Sequence, residues 1–255
     1  MQKILVTHSD KRVDSLLPRI TLIKLLEYRE WTETLGYDRE WKIQELQSNI
    51  YSSLQRMFSR RGGFVIPLRY DYFIALSNGF KEKDLEEILT DIEPLSPMGV
   101  RIVSLVHRKP FTAQLIATRI AEREDKKLIY IEGEEDPVAV VHVDFNNITR
   151  TTIQTSVFET YVKIMNVYSE ITRAAIRLGG ITGYLGGDNM IVVLSTEAIN
   201  DLLSLLPTYL KAGVGISINP RKALELSAKA LSNIRSNRSR QVLILYDDNV
   251  LQEER

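Results

Sequence analysis

The chain has no cysteine among its 255 residues, so it forms no disulfide and offers no thiolate to a metal or a substrate. Its histidines number three, His8, His107 and His142, none paired at the i, i+4 spacing that puts two imidazoles on one helical face. A catalytic zinc takes about three His, Cys or carboxylate ligands. A hydrolytic metal here is therefore expected to be a hard ion, Mg2+ or Mn2+, held by carboxylates. Charge of neither sign prevails: 33 Lys and Arg balance 33 Asp and Glu. That argues against a general polyanion binder or a membrane-surface protein, so neither nucleic acid nor membrane is expected as a partner. Long apolar runs are also missing. Val138–Val141 and Ile191–Leu194 fall far short of the roughly 20 residues that span a bilayer, and Ile4–Val6 is too short for the apolar core of a secretory signal. These absences together fit a cytoplasmic protein.

What is present is an ordinary globular composition, 44% apolar and 26% charged. The length allows one large domain or two of about 120 residues, each able to bury a core. The most informative stretch runs from Ile181 to Val193. Two β-rich runs there, Ile181–Leu185 and Met190–Leu194, flank Gly186, Gly187, Asp188 and Asn189, residues that tolerate positive φ and predict a hairpin. Taken alone, that tetrad is good turn chemistry and no more. A second carboxylate, Asp144, closes the strand Val138–Val143, and both features have counterparts earlier in the chain.

The sequence predicts an arm over 1–19, a first domain over 20–132, a linker over 133–137 with Gly, Pro and three acids, and a second domain over 138–255. In the first domain, strands are expected at Ile20–Leu26, Phe64–Leu68, Tyr72–Ser77, Val100–Val106 and Lys127–Ile131. Helices are expected at Arg39–Phe58, at Glu82–Ile92 and from Pro110. Tyr28–Thr34 and Phe145–Thr152 are read as irregular loops. After the linker the order returns, with a long helix whose stripe runs Val157, Tyr161, Ile164, Tyr168, Ile171, Ala175 and Leu178. Gly63 to Gly180, Asp71 to Asp188 and Glu27 to Asp144 are each separated by 117 positions. Three anchors in one register predict a duplicated βαββαβ unit with an added strand: an α+β protein of two tandem ferredoxin-like, palm-type domains, with antiparallel sheets and helices on one face.

In such a unit the first strand lies beside the third, about 4.8 Å away. Asp144 and Asp188 then share one sheet edge, as do Glu27 and Asp71 by the same offset. Each pair could hold divalent ions, including two about 3.5–4 Å apart, of the kind used on phosphates. The alternative is two solvated carboxylates at a strand end. Asn146, Asn147 and the backbone N–H groups after them open toward that edge, where phosphate is favoured. Arg69, Lys211 and Arg235 are candidate phosphate contacts, weighed against plain exposed charge. Trp31 is a candidate stacking partner for a base, weighed against ordinary packing. Gly186, Gly187 and Asn189 would bring the turn backbone and one amide to the nucleotide.

The stretches Tyr28–Thr32, Arg69–Asp71, His142–Thr149, Gly186–Asn189, Lys211–Ile216 and Ile234–Arg235 resemble the archaeal type III GTP cyclohydrolases from about Ile20 onward. The resemblance implies tandem palm-like domains related to nucleotidyl and diguanylate cyclases, Mg2+-dependent attack on GTP with two ions, and potassium as an activator. It implies opening of the guanine imidazole ring, retention of the formyl group and release of phosphate. The product would be a formamidopyrimidine ribonucleotide monophosphate, a pterin or flavin precursor. Asp144 and Asp188 would be ligands and catalytic groups, with Glu27 and Asp71 as the second set. The first half departs from the family pattern, with Glu27 in place of an Asp and Tyr72 in place of an Asn. A homo-oligomer acting on GTP is expected. A nucleotidyl cyclase-like enzyme, a GTP sensor without turnover and a purely structural duplicated palm are the alternatives.

Overall fold

The structure is a computed structural model that describes residues 4–6, 17–236 and 241–247. Most of the expected N-terminal arm, residues 1–3 and 7–16, lies outside the described residues. In the first half the elements are β1 (Ile4–Val6), β2 (Arg19–Leu25), α1 (Tyr28–Thr34), α2 (Glu40–Arg60), β3 (Phe64–Pro67), β4 (Tyr72–Leu76), α3 (Glu82–Ile92), β5 (Val100–Val106), α4 (Pro110–Arg123) and β6 (Leu128–Tyr130). In the second half they are β7 (Val138–Phe145), α5 (Ile148–Gln154), α6 (Val157–Arg177), β8 (Ile181–Gly186), β9 (Asn189–Leu194), α7 (Ile199–Leu205), β10 (Leu210–Ser217), α8 (Pro220–Ser236) and β11 (Val242–Tyr246). The chain divides into two compact units: Pro18–His107 with Thr112–Glu135, and Met1–Leu17 and Arg108–Phe111 with Asp136–Arg255.

The first unit carries a sheet in the order β3-β4-β2-β5-β6, and the second a sheet in the order β8-β9-β7-β10-β11-β1. In both, the four βαββαβ strands pair antiparallel. The added strand is parallel to its neighbour, β6 to β5 and β11 to β10, because a helix rather than a hairpin joins them. β1 pairs parallel to β11 at the outer edge.

In the second unit α6 and α7 cover one face, with Ile164, Val167, Ile171, Leu202 and Leu203 against Val141, Val143, Val192 and Val214. The expectation of helices on a single face holds for these two and fails for α8. That helix lies on the opposite face, where Ala230, Leu231 and Ile234 pack against Leu243. The physical reason is visible in β7, which is buried along both faces and so needs cover on both. Two glycines permit the close approach. A Cβ at Gly215 would lie 2.0 Å from the Ala223 carbonyl oxygen, and one at Gly213 would lie 2.2 Å from that of Ser227.

The first unit repeats the helical layer, with Ile50, Leu54, Phe58, Leu85 and Ile88 against Ile23, Phe73, Ala75 and Ile102. Arg19, expected to end the arm, instead opens β2. It is fully buried, bonded to Glu135, to Ser104 Oγ and to the Ile131 carbonyl. Glu135 also accepts the Gly79 N–H, so the irregular stretch between β6 and β7 is tied to the first unit.

Two expected loops are short helices, α1 and α5. Each follows a residue in the left-handed region, Glu27 (φ 46) and Asn147 (φ 60). With seven residues apiece and no buried residue, they show no apolar period in the sequence. The stripe of α6 also starts later than expected: Val157 is 76% and Tyr161 49% exposed, and its buried apolar positions begin at Ile164.

Candidate active site

Val143 on β7 stands opposite Met190 on β9, so the next residue, Asp144, and the turn before Met190 reach the same end of the sheet. Gly186 (φ 96) and Gly187 (φ 59) shape that turn in a conformation that disfavours a Cβ. Asp188 follows them and meets Asp144: its carboxyl is pushed above the usual range by burial first, then by the Asp144 charge and a hydrogen bond with it. Asp144 itself is buried. Arg235, on α8, grips it with both arms of the fork, Nη2 to Oδ1 at 2.9 Å and Nε to Oδ2 at 3.3 Å. Lys211 lies directly across from Asp144 on β10.

These groups line a cleft of about 610 Å³ with Asn146 and Asn147. Asn146 is tied to the loop before β10, its N–H to the Tyr209 carbonyl at 2.9 Å and its Nδ2 to that of Thr208 at 3.3 Å. Gly186, Gly187 and Asn189 build the turn without lining the cleft. A larger groove of about 840 Å³ in the first unit is lined by Glu82, Glu86, Glu132, Glu134 and Glu135 with Lys81 and Lys83, and holds none of the expected site residues.

In the first unit the strand registers correct the repeat arithmetic. Ile23 stands opposite Phe73 and Ile102, as Val143 stands opposite Met190 and Ala212. Lys24, not Glu27, therefore occupies the place of Asp144. Leu22 takes the place of His142, Tyr72 that of Asn189 and Arg101 that of Lys211. The offset is 117 at Gly63 and Asp71, but 120 ahead of α2, because residues 35–39 between α1 and α2 outnumber residues 155–156 between α5 and α6 by three. Glu27 matches Asn147, at the start of the short helix, and is exposed.

Lys24 Nζ bonds Glu122 at 2.7 Å, and the Tyr72 hydroxyl donates to the same carboxylate. Burial and that bond raise the Tyr72 phenol, while hydrogen bonds from Lys24 and then Tyr72 lower the Glu122 carboxyl. Asp71 is buried and held by Arg69, Nη2 to Oδ2 at 2.7 Å and Nε to Oδ1 at 3.2 Å. Trp31 packs beside Tyr28 in α1, ring centroids 5.7 Å apart. The first-unit candidates thus form an Arg69–Asp71 pair, with Glu27 and Trp31 beyond the strand end.

One residue at the second-unit site escaped the sequence reading. His142 Nε2 lies 3.1 Å from Asn189 Oδ1, and Asn189 Nδ2 lies 3.3 Å from Asp188 Oδ1. Burial lowers the His142 imidazole. The available signal was its place two residues before Asp144 on a strand, which puts both on one face.

The donor set suits a hard cation. Among the described residues no three His, Cys, Asp or Glu side chains gather into a cage. Two mutually repelling carboxylates match Mg2+, which takes one or two from the protein and the rest from water and substrate phosphates.

Comparison with known proteins identifies the family. The family model for GTP cyclohydrolase III matches residues 20–248. GTP cyclohydrolase III of Aeropyrum pernix is 41% identical over 224 residues, covering 86% of this chain and 92% of that protein. GTP cyclohydrolase III of Saccharolobus solfataricus is 34% identical over 224 residues, covering 87% and 96%. Among solved structures, a class III adenylyl cyclase-like ATP-binding protein from Pseudomonas aeruginosa aligns over 98% of this chain and 89% of its own, at 8% identity and a TM-score of 0.37. That score is too low to bear on function. The chain belongs to the GTP cyclohydrolase III family of hydrolytic enzymes.

Proposed function

We propose that the second unit hydrolyses GTP in the presence of Mg2+, opening the imidazole ring and releasing phosphate to leave a formamidopyrimidine ribonucleotide monophosphate. The observation that carries this reading is the meeting of Asp144 and Asp188 in one cleft with Arg235 and Lys211, in a member of this family. One water cleaves the C8–N9 bond: its oxygen makes C8 a formyl group on N7, and its two protons end on N7 and N9. Two further waters release two phosphates, which converts the triphosphate into the monophosphate.

Asp144 and Asp188 are the residues that would hold Mg2+. When bound, it supplies neutralisation of the triphosphate charge and lowers the pKa of water. Arg235 is already anchored by Asp144, so its guanidinium is pre-positioned for a phosphate oxygen. Lys211 adds a second positive charge beside it. In the first unit Lys24 takes the carboxylate position, and we assign no divalent ion there. A second Mg2+ would draw its ligands from the nucleotide, and a potassium requirement is tested by replacing K+ with Na+. No helix among the described residues is long and apolar enough to cross a membrane, and a cytoplasmic location fits a cysteine-free chain.

Purified protein with GTP and Mg2+ should lose the guanine ultraviolet band and release phosphate. A chelator and Asp188→Asn should each abolish both. Undiminished turnover by folded Asp188→Asn would exclude this site. A cyclic nucleotide with pyrophosphate and an intact guanine band would replace the reading with a cyclase.

A further inference from the structure

Each unit fixes its turn carboxylate differently. Asp71 is bonded by a cation, the Arg69 guanidinium, through both of its oxygens. Asp188 is contacted instead by a neutral amide, Asn189 Nδ2. Asp188 is thus oriented by a neutral amide, whereas Asp71, like Asp144 beside Arg235, carries a guanidinium on both oxygens. An Asn side chain can present either its nitrogen or its oxygen to a neighbour, so the amide has to be oriented in turn. Its Oδ1 can only accept a hydrogen bond, and His142 Nε2, at 3.1 Å, is the donor.

We propose that His142 is a positioning residue of the second-unit site. Its Nε2–H fixes the Asn189 amide so that Nδ2 faces Asp188 and aims that carboxylate at the cation locus beside Asp144. The internal duplication supports the assignment. In the first unit the three positions change together, His142 to Leu22, Asn189 to Tyr72 and Asp144 to Lys24, while Asp71 persists. The inference rests on the functional reading above and adds to it a residue that touches neither metal nor nucleotide. Partners that orient metal ligands in this way act on metal affinity.

The test is Mn2+ binding to the full chain, with and without GTP, followed by the loss of free-ion electron paramagnetic resonance signal. His142→Leu, which copies the first unit, should weaken Mn2+ binding about 10–100-fold. His142→Gln, whose amide nitrogen reaches the same point, should recover most of the affinity. In an Asn189→Ala background, His142→Leu should have no further effect. Should His142→Leu fold poorly, Asn189→Ala alone must reproduce the loss and His142→Gln must still bind. Wild-type affinity in folded His142→Leu, or equal loss in Gln and Leu variants, overturns the assignment and leaves the functional reading standing. A wild-type chain that binds no Mn2+ with GTP overturns both.

Discussion

Lys24 and Asp144 occupy the same place in two copies of one fold: the residue before each, Ile23 or Val143, faces equivalent partners on the strands at either side. A carboxylate in one copy is an ammonium in the other. The Lys24 charge is answered within its own unit by Glu122. The Asp144 charge meets Arg235 and a second carboxylate, Asp188.

Metal and nucleotide stoichiometry follow from this asymmetry. Titration with Mn2+ and GTP should give one nucleotide per chain. Asp188→Asn should lower Mn2+ affinity by more than about 100-fold, beyond the usual effect of losing an outer partner. Asp71→Asn should leave the affinity within about threefold, while lowering stability by roughly 1–3 kcal/mol through its lost charged hydrogen bonds.

The first unit should show its own pH signature. The Glu122 carboxyl is lowered by Lys24 and Tyr72, so its folded state binds a proton less readily than its unfolded state. The stability it contributes is present above the ordinary carboxyl value near 4.5 and is lost as pH falls through the lowered folded value. Denaturant midpoints of Glu122→Gln and wild type should differ at pH 7 and converge at acid pH. The difference should stay below about 1 kcal/mol, because the pair is partly exposed.

Gly215 tests the link between packing and site. Alanine there would meet the Ala223 carbonyl at 2.0 Å, which is backbone and cannot turn aside. Gly215→Ala should cost about 1–3 kcal/mol, as overpacking does. By pushing α8 outward, it should also loosen Arg235 from Asp144 and raise KM for GTP. The first unit has Val103 and Leu105 at the places of Gly213 and Gly215, so Leu105→Gly should leave KM unchanged.

The sequence made the second half legible because its signals are local. A Gly-Gly-Asp-Asn turn between β-rich runs and an Asp closing an apolar strand survive without knowledge of the rest. The first half misled for a physical reason. A single offset carried Glu27 onto Asp144, yet three extra residues between α1 and α2 shift everything upstream, and only strand register reveals Lys24. α1 and α5 were hidden because helices of two turns with no buried face leave no period. The placement of α8 on the opposite face was encoded in Gly213 and Gly215, which look like ordinary strand residues until the helix backbone is in position. His142 was overlooked because its importance lies in what Asn189 does with it, a contact across strands.

Arg235 offers a further check on substrate binding. Arg235→Lys keeps the charge and loses the fork, so KM for GTP should rise while the protein stays folded. Arg235→Ala should raise it further. It should also make Mg2+ a stronger stabiliser in thermal unfolding, since Asp144 is then left without its cation.

The most direct test of the assigned site is a crystal structure with Mn2+ and a GTP analogue that resists hydrolysis, using the anomalous signal to locate the ion. The assigned site requires a peak beside Asp144 and Asp188, with phosphate against Arg235, and no peak beside Lys24 and Asp71. An ion found only in the first unit, or a nucleotide bound away from Asp144, would contradict it.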